Sequence, residues 1–360
     1  MQNLFQFALQ NLLRVLLALC ISLPSFAAAA AQSPGSSPAL LYGPKGVSPL
    51  AVRQGTLGSC FFHASLAAIA QASPASLRDA IHGNAKSGYR VHFISGPDEL
   101  VYAQDVEYAR AHGYDHSEGE WVAILMRGFA QRKLRQSMIA AIQRSTVIPA
   151  FVKPIALSSL EGSGPLLVAY DRAIRSVVSQ SGKQNGEMNK AALQAEVARE
   201  LSALGVTATQ AQVIGGLLDH AGFYEELNTT VRENGEVFGA YRSLGQGGIP
   251  RSVMEAFFGH ALAAPVTAST LVTQLVALHA GGMAMVAGSR PSVASFQSRP
   301  PDWYVPAHAY TVLDYDAVNR TVTLRNPWGA HPQPDGVFQL PLPVFQRTYL
   351  MYSYAQAAVR

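Results

Sequence analysis

Two cysteines occur in the 360-residue chain, and only Cys60 lies among residues that could put a thiol to use. It closes the run Gln54-Gly-Thr-Leu-Gly-Ser-Cys60, and far downstream come His308-Ala-Tyr and Arg325-Asn326-Pro-Trp328-Gly. A thiol, an imidazole and a side-chain amide can act as a nucleophile, its base and the group that orients the base. A free thiol titrates near pH ~8.5, so it needs a cationic or dipolar neighbour to become the attacking thiolate. His308 supplies the imidazole. Asn326 would accept a hydrogen bond from one ring nitrogen and turn the other toward sulfur, without adding charge. Gln54, with the backbone amide of Cys60, could donate to the oxyanion of a tetrahedral intermediate. Gly55 and Gly58 would let the loop bring those donors together, and Trp328 would shield the Asn326–His308 contact from water.

Taken singly, each residue also fits a structural role. Cys60 beside Phe61 and Phe62 suits packing, His308 suits an ordinary half-buried histidine, and Asn326-Pro is a common turn starter. The assignment rests on their combination and order. His63, one turn past Cys60 on the same helix, cannot easily reach the attacking side of the sulfur and reads as structural.

The elements that must position these groups follow from the hydrophobic pattern. Cys60–Gln71 reads as a buried helix that starts at the Gly-Ser turn, where free amides and the helix dipole favour a thiolate, and Ser73-Pro ends it. Tyr89–Ile94 alternates like a strand, and Glu120–Ala130 returns to helical spacing. Residues 138–245 are rich in Ala, Leu, Gln and Glu and should be mostly helix. From Met283 onward, Met283–Ala287, Ala309–Leu313, Thr321–Leu324 and Val337–Leu340 are short β-type runs separated by turn residues. The expected fold class is therefore α+β, a helical half followed by a β-rich half with a cleft between two lobes.

Arg14 is the only charge in residues 1–31, and an apolar run from Val15 to Phe26 ends in the small residues Ala27–Ala31. This is the pattern of a secretory signal peptide, with cleavage expected near Ala31 and a secreted or periplasmic destination. Cys20 follows Leu19, where a lipoprotein signal would want a small residue. Residues 32–47 look like a flexible lead-in. Beyond the leader, 26 Lys and Arg against 23 Asp and Glu leave a charge of +3, too small to suggest nucleic acid as a partner. Cys60 alone then remains, so no internal disulfide can form. The expected domains are 1–31 as signal peptide, 32–262 as a helical Cys60-bearing lobe with an inserted region at about 138–245, and 263–360 as a β-rich lobe carrying His308 and Asn326.

These motifs resemble those of the calpain family of cysteine endopeptidases, within the papain-like group. That family carries Gln-Gly-x-x-Gly-x-Cys at the nucleophile, Gly-His-Ala-Tyr-x-Val at the base and Arg-Asn-Pro-Trp-Gly at the asparagine. Gln54–Cys60, His308–Val312 and Arg325–Gly329 are similar to these. Gly119–Leu125, the segment Asp335–Leu340 and Phe345 extend the likeness, so that it covers roughly 42–135 and 245–354. It implies a papain-like two-lobed protease with catalytic roles for Cys60, His308, Asn326 and Gln54, and a protein or peptide substrate. Phe61 stands where the family usually has Trp, Ala307 replaces the Gly before the histidine, and the 248 residues from Cys60 to His308 exceed the family's spacing by the helical insertion.

The same thioester chemistry leaves open an acyl transferase of transglutaminase or deamidase type, and a scaffold without catalysis could be a binding protein. The sequence contains no Asp-x-Asp-x-Asp-Gly loop, and Asp302, Asp314, Asp316 and Asp335 near the catalytic segments read as surface or turn residues. His279, His331 and Asp302 lack metal-ligand spacing, so no cofactor is expected and calcium independence is anticipated. No membrane partner is expected after loss of the leader, and the oligomeric state is left open.

Overall fold

The fold was described from a computed structural model, covering residues 38–357 apart from 147, 152, 162–163, 182–189, 205–238, 294–295 and 297–299. The expected signal peptide, residues 1–31, lies outside the described residues. The described elements mix helix with two antiparallel sheets, which is the expected α+β class. The helices are α1 (Pro38–Tyr42), α2 (Cys60–Ala72), α3 (Pro74–Asp79), α4 (Ala103–Ala111), α5 (Trp121–Arg144), α6 (Lys153–Glu161), α7 (Gly164–Ser181), α8 (Lys190–Ala203), α9 (Ala240–Gly245), α10 (Pro250–Phe258), α11 (Leu271–His279) and α12 (Leu342–Thr348). Helix α1 falls within the stretch expected to be a loose lead-in.

The chain divides into two compact units. Residues 133–239 belong to one unit, and residues 35–132 join 240–360 in the other. Within the first, α7 packs on α8 through Leu167, Ile174, Leu193 and Val197, all buried. Asp171 there is fully buried and accepts from Arg175 Nε at 3.0 Å, one turn along α7.

The second unit carries the proposed chemistry. Strands β1 (Ile81–Asn84), β2 (Gly88–Val91) and β3 (Glu99–Val101) form a small sheet in that order. Its first hairpin turns on Asn84, whose Oδ1 accepts from the amides of Lys86 and Ser87, each at 3.0 Å, as short polar side chains do in turns. The larger sheet has six strands: β4 (Leu262–Pro265), β5 (Met283–Ser289), β6 (Ala309–Asp316), β7 (Thr321–Arg325), β8 (Val337–Pro341) and β9 (Tyr349–Gln356). Their order is β4-β9-β5-β6-β7-β8, all antiparallel.

Helix α2 lies on β5 and β6. Its sequence, CFFHASLAAIAQA, has no charged acid or base other than His63, and Phe61 through Ala70 are all buried. A helix apolar on every side belongs in a core, and its alanines let it approach the sheet closely. Ser73 ends it, and Pro74 opens α3 at a position where its missing amide hydrogen costs nothing. On the sheet's other cluster, Met285 and Ala287 of β5 pack with Leu271 and Leu275 of α11 and Phe345 of α12. Strand β5 is therefore covered on both faces, which is why it reads as an unbroken apolar run. Thr311 of β6 donates its hydroxyl to the Ala64 carbonyl of α2 at 2.9 Å, fixing the helix to the sheet.

Candidate active site

Cys60 is the first residue of α2 and is a free, half-buried thiol. His308 occupies the turn just before β6, and Asn326 comes immediately after β7, whose pairing with β6 joins Thr311 to Arg325. Adjacent antiparallel strands thus bring residues 18 apart side by side, and His308 Nε2 lies 3.0 Å from Asn326 Oδ1. The Asn326 oxygen is identified by its second partner. The backbone amide of Trp328, which can only donate, lies 3.1 Å from the same atom. An oxygen that already accepts from Trp328 must accept from the imidazole too, so Nε2 carries hydrogen and Nδ1 is the ring's free lone pair.

The His308 backbone is held equally firmly. Its amide donates to Ser289 Oγ at 2.9 Å, and its carbonyl accepts from the Ser289 amide at 2.8 Å. The Tyr310 ring stands edge-on to the imidazole with centroids 5.0 Å apart, and its hydroxyl bridges the Val305 amide and the Trp303 carbonyl. Trp328 covers the imidazole at 4.9 Å while staying 39% exposed, so it shields the Asn326 contact and still faces solvent.

Burial dominates the electrostatics. It pushes the His308 imidazole down from 6.5 to about 4, partly offset by the Asn326 hydrogen bond. Burial also pushes the Cys60 thiol up, while the amides of Ala309, Phe61 and Cys60 itself, donating to the sulfur, pull it back in part. The Ala309 amide is the nearest link between the thiol and the histidine segment. Among the described residues no hydrogen bond joins the sulfur to the His308 ring. Both shifts favour the uncharged forms, so the resting pair is a thiol and a neutral imidazole.

Gln54 sits at an antiparallel bridge with Asp115, and its amide donates to the Pro327 carbonyl at 2.8 Å. That bond ties the proposed oxyanion donor directly to the Asn326 turn. Its side-chain Nε2 donates to the Leu57 carbonyl at 2.7 Å, leaving its second hydrogen for another acceptor. Arg325, fully buried, donates to the Val52 carbonyl at 2.6 Å and binds the same two segments, and burial lowers its guanidinium to about 10. Gly55 and Gly58 are required for a reason more specific than loop freedom. A methyl group on Gly55 would overlap the Gly113 carbonyl oxygen, and one on Gly58 would overlap that of Gly245.

Ala307 adopts φ 50°, the left-handed region. Such a residue costs roughly 1–2 kcal/mol relative to its relaxed conformation, and Ala307 is exposed, with no buried contact to lose. Ala307→Gly is expected to stabilise the protein by about 0.5–1 kcal/mol after the extra chain entropy of glycine. Thermal unfolding should show a rise of about 2 °C, whereas an unchanged or lower midpoint would show that the local backbone has another determinant.

His63 lies on α2, three residues past Cys60. Its ring meets Ser59 and Asp115. Two of the acidic residues near the site have local partners: Asp316 closes the β6–β7 turn on the Val318 and Asn319 amides, and Asp314 pairs with exposed His279. Among the described residues no group of three or more His, Cys, Asp or Glu is placed to hold a metal ion, and no helix is long and apolar enough to cross a membrane. Asp115 and Ser289 went unnoticed in the sequence. Neither belongs to a periodic run, and only the fold brings them near the motifs.

No protein-family model and no curated protein matches the chain. Among solved structures, PepW from Lactobacillus rhamnosis HN001 is similar at 10% identity over 84% of this chain and 79% of that one, with a TM-score of 0.28.

Proposed function

We propose that the chain is a calpain-like cysteine endopeptidase built on a papain-like two-lobed unit, exported by its leader and acting on protein or peptide substrates. The observation that carries this reading is the 3.0 Å contact between His308 Nε2 and Asn326 Oδ1, because it leaves Nδ1 as the basic atom of the ring, while the amide of the next residue, Ala309, donates to the Cys60 sulfur.

The steps follow from that arrangement. The Cys60 sulfur attacks the peptide carbonyl carbon while its proton passes to His308 Nδ1. Charge develops on the carbonyl oxygen, where the Cys60 amide and the free hydrogen of Gln54 Nε2 would donate to it. The C–N bond breaks as Nδ1–H protonates the departing amine, leaving a thioester on Cys60. Water then attacks the thioester, His308 takes its proton, and the carboxylic product leaves with the thiol restored. Because thiol and imidazole rest uncharged, the proton moves during attack, and His308 acts as a general base.

The test uses the protein without its leader and an unstructured protein substrate, in parallel with Cys60→Ala. Fragments from the wild type alone, blocked by a thiol-directed epoxide, support the reading. Incorporation of a labelled amine without fragments assigns an acyl transferase instead, and neither product assigns a binding relative. In the same assay, activity lost to a chelator and restored only by calcium would overturn the expected calcium independence.

A further inference from the structure

The residue before the nucleophile behaves unusually for its position. Ser59 is the N-cap of α2, where a serine hydroxyl ordinarily accepts from an amide of the first turn, yet it makes no such bond. Its Oγ instead lies 3.1 Å from His63 Nδ1. The opposite ring nitrogen, Nε2, lies 3.4 Å from Asp115 Oδ1. Ser59 and His63 are 0% exposed and Asp115 is 3% exposed, so no substrate reaches this Ser-His-Asp row and it is not a second nucleophile.

Its connections lead to the proposed oxyanion donors. His63 Nδ1 also lies 3.1 Å from the Ser59 carbonyl oxygen, so one ring edge meets both the hydroxyl and the backbone of Ser59 while the other faces Asp115. The Leu57 carbonyl gathers the donors of both segments, accepting from the Ser59 hydroxyl at 3.3 Å, the Ser59 amide at 2.7 Å and Gln54 Nε2 at 2.7 Å. Asp115 is also the bridge partner of Gln54, and Ser117 locks it by donating to Oδ1 at 2.6 Å while accepting from the Arg53 amide at 2.8 Å. A closed ring therefore runs from Gln54 through Asp115, His63 and Ser59 to Cys60.

We propose that His63 and Asp115 are positioning residues that set the spacing between the Cys60 amide and Gln54 Nε2. This rests on the endopeptidase reading above. Loss of the row would leave the thiol and its base in place but loosen the oxyanion donors.

Two reactions at the same sulfur separate these effects. Displacement of iodide from iodoacetamide needs the thiol and His308 but creates no oxyanion, whereas peptide hydrolysis needs both. Asp115→Asn, which keeps size, and His63→Phe, which removes both ring contacts, would each be compared with the full-length wild type without its leader. Expected is a fall in kcat of about 10- to 100-fold, KM within about threefold, and an alkylation rate within about threefold; the isosteric Asp115→Asn carries the test where His63→Phe does not fold. Equal losses in alkylation and hydrolysis, or unchanged kcat with only a lower Tm, overturn the inference alone. A wild type that alkylates but hydrolyses no peptide overturns the endopeptidase reading and the inference with it.

Discussion

Replacing His308 with Ala is expected to lower kcat/KM for peptide hydrolysis by about 10³-fold, within the span of a positioned acid–base group. The wild-type pH profile should identify the same residue. Burial holds its imidazole at about 4, so the base stays unprotonated well below the pH at which an exposed histidine would charge. The acid limb of kcat/KM is expected to centre near pH 4; a limb centred near 6.5 would contradict a buried base. Stability should respond in the same direction. Between 4 and 6.5 the unfolded chain binds a proton that the folded imidazole refuses, so stability is complete above 6.5 and is lost as pH falls through 4. At about 1.36 kcal/mol per pH unit this is on the order of 3 kcal/mol. Denaturant titrations at pH 4.5 and 7 should show a gap that narrows in His308→Ala.

The second large effect is expected at Gln54. In the proposed mechanism its Nε2 hydrogen is one of two donors to the developing oxyanion, and losing such a donor costs about 2.7–4 kcal/mol, or roughly 10²–10³ in kcat. Gln54→Ala should show that loss with KM little altered, because the donor acts on charge that exists only in the transition state. Gln54→Glu replaces the donor with an acceptor of equal size and should be at least as inactive. A Gln54→Ala enzyme with wild-type kcat and a raised KM would move Gln54 from the oxyanion to ground-state substrate binding.

The motif residues were legible because they are chemically distinctive and sit at the ends of recognisable elements. Cys60 opens a helix that really begins there, and His308 and Asn326 flank strands β6 and β7, both readable from their β-branched and aromatic content. Strand β9 was not legible. Its sequence, YLMYSYAQ, does not alternate, and buried and exposed residues follow no two-residue period along it. The helix α11 was similarly hidden between β-type runs. Within the site, the tautomer of His308 depends on a backbone amide two residues beyond Asn326, and the role of His63 depends on Asp115, 52 positions away. Neither relation leaves a periodic trace.

The strand order places β9 between β4 and β5, although it is made last of the nine. Strand β5, the floor beneath α2, therefore lacks one hydrogen-bonding flank until residue 356 has been synthesised. A ribosome displays Cys60 long before it supplies a base, and that base gains its rigid seat only when translation of the sheet is complete. On the proposed mechanism, the sulfur on the nascent polypeptide has no base to take its proton until His308 has been made.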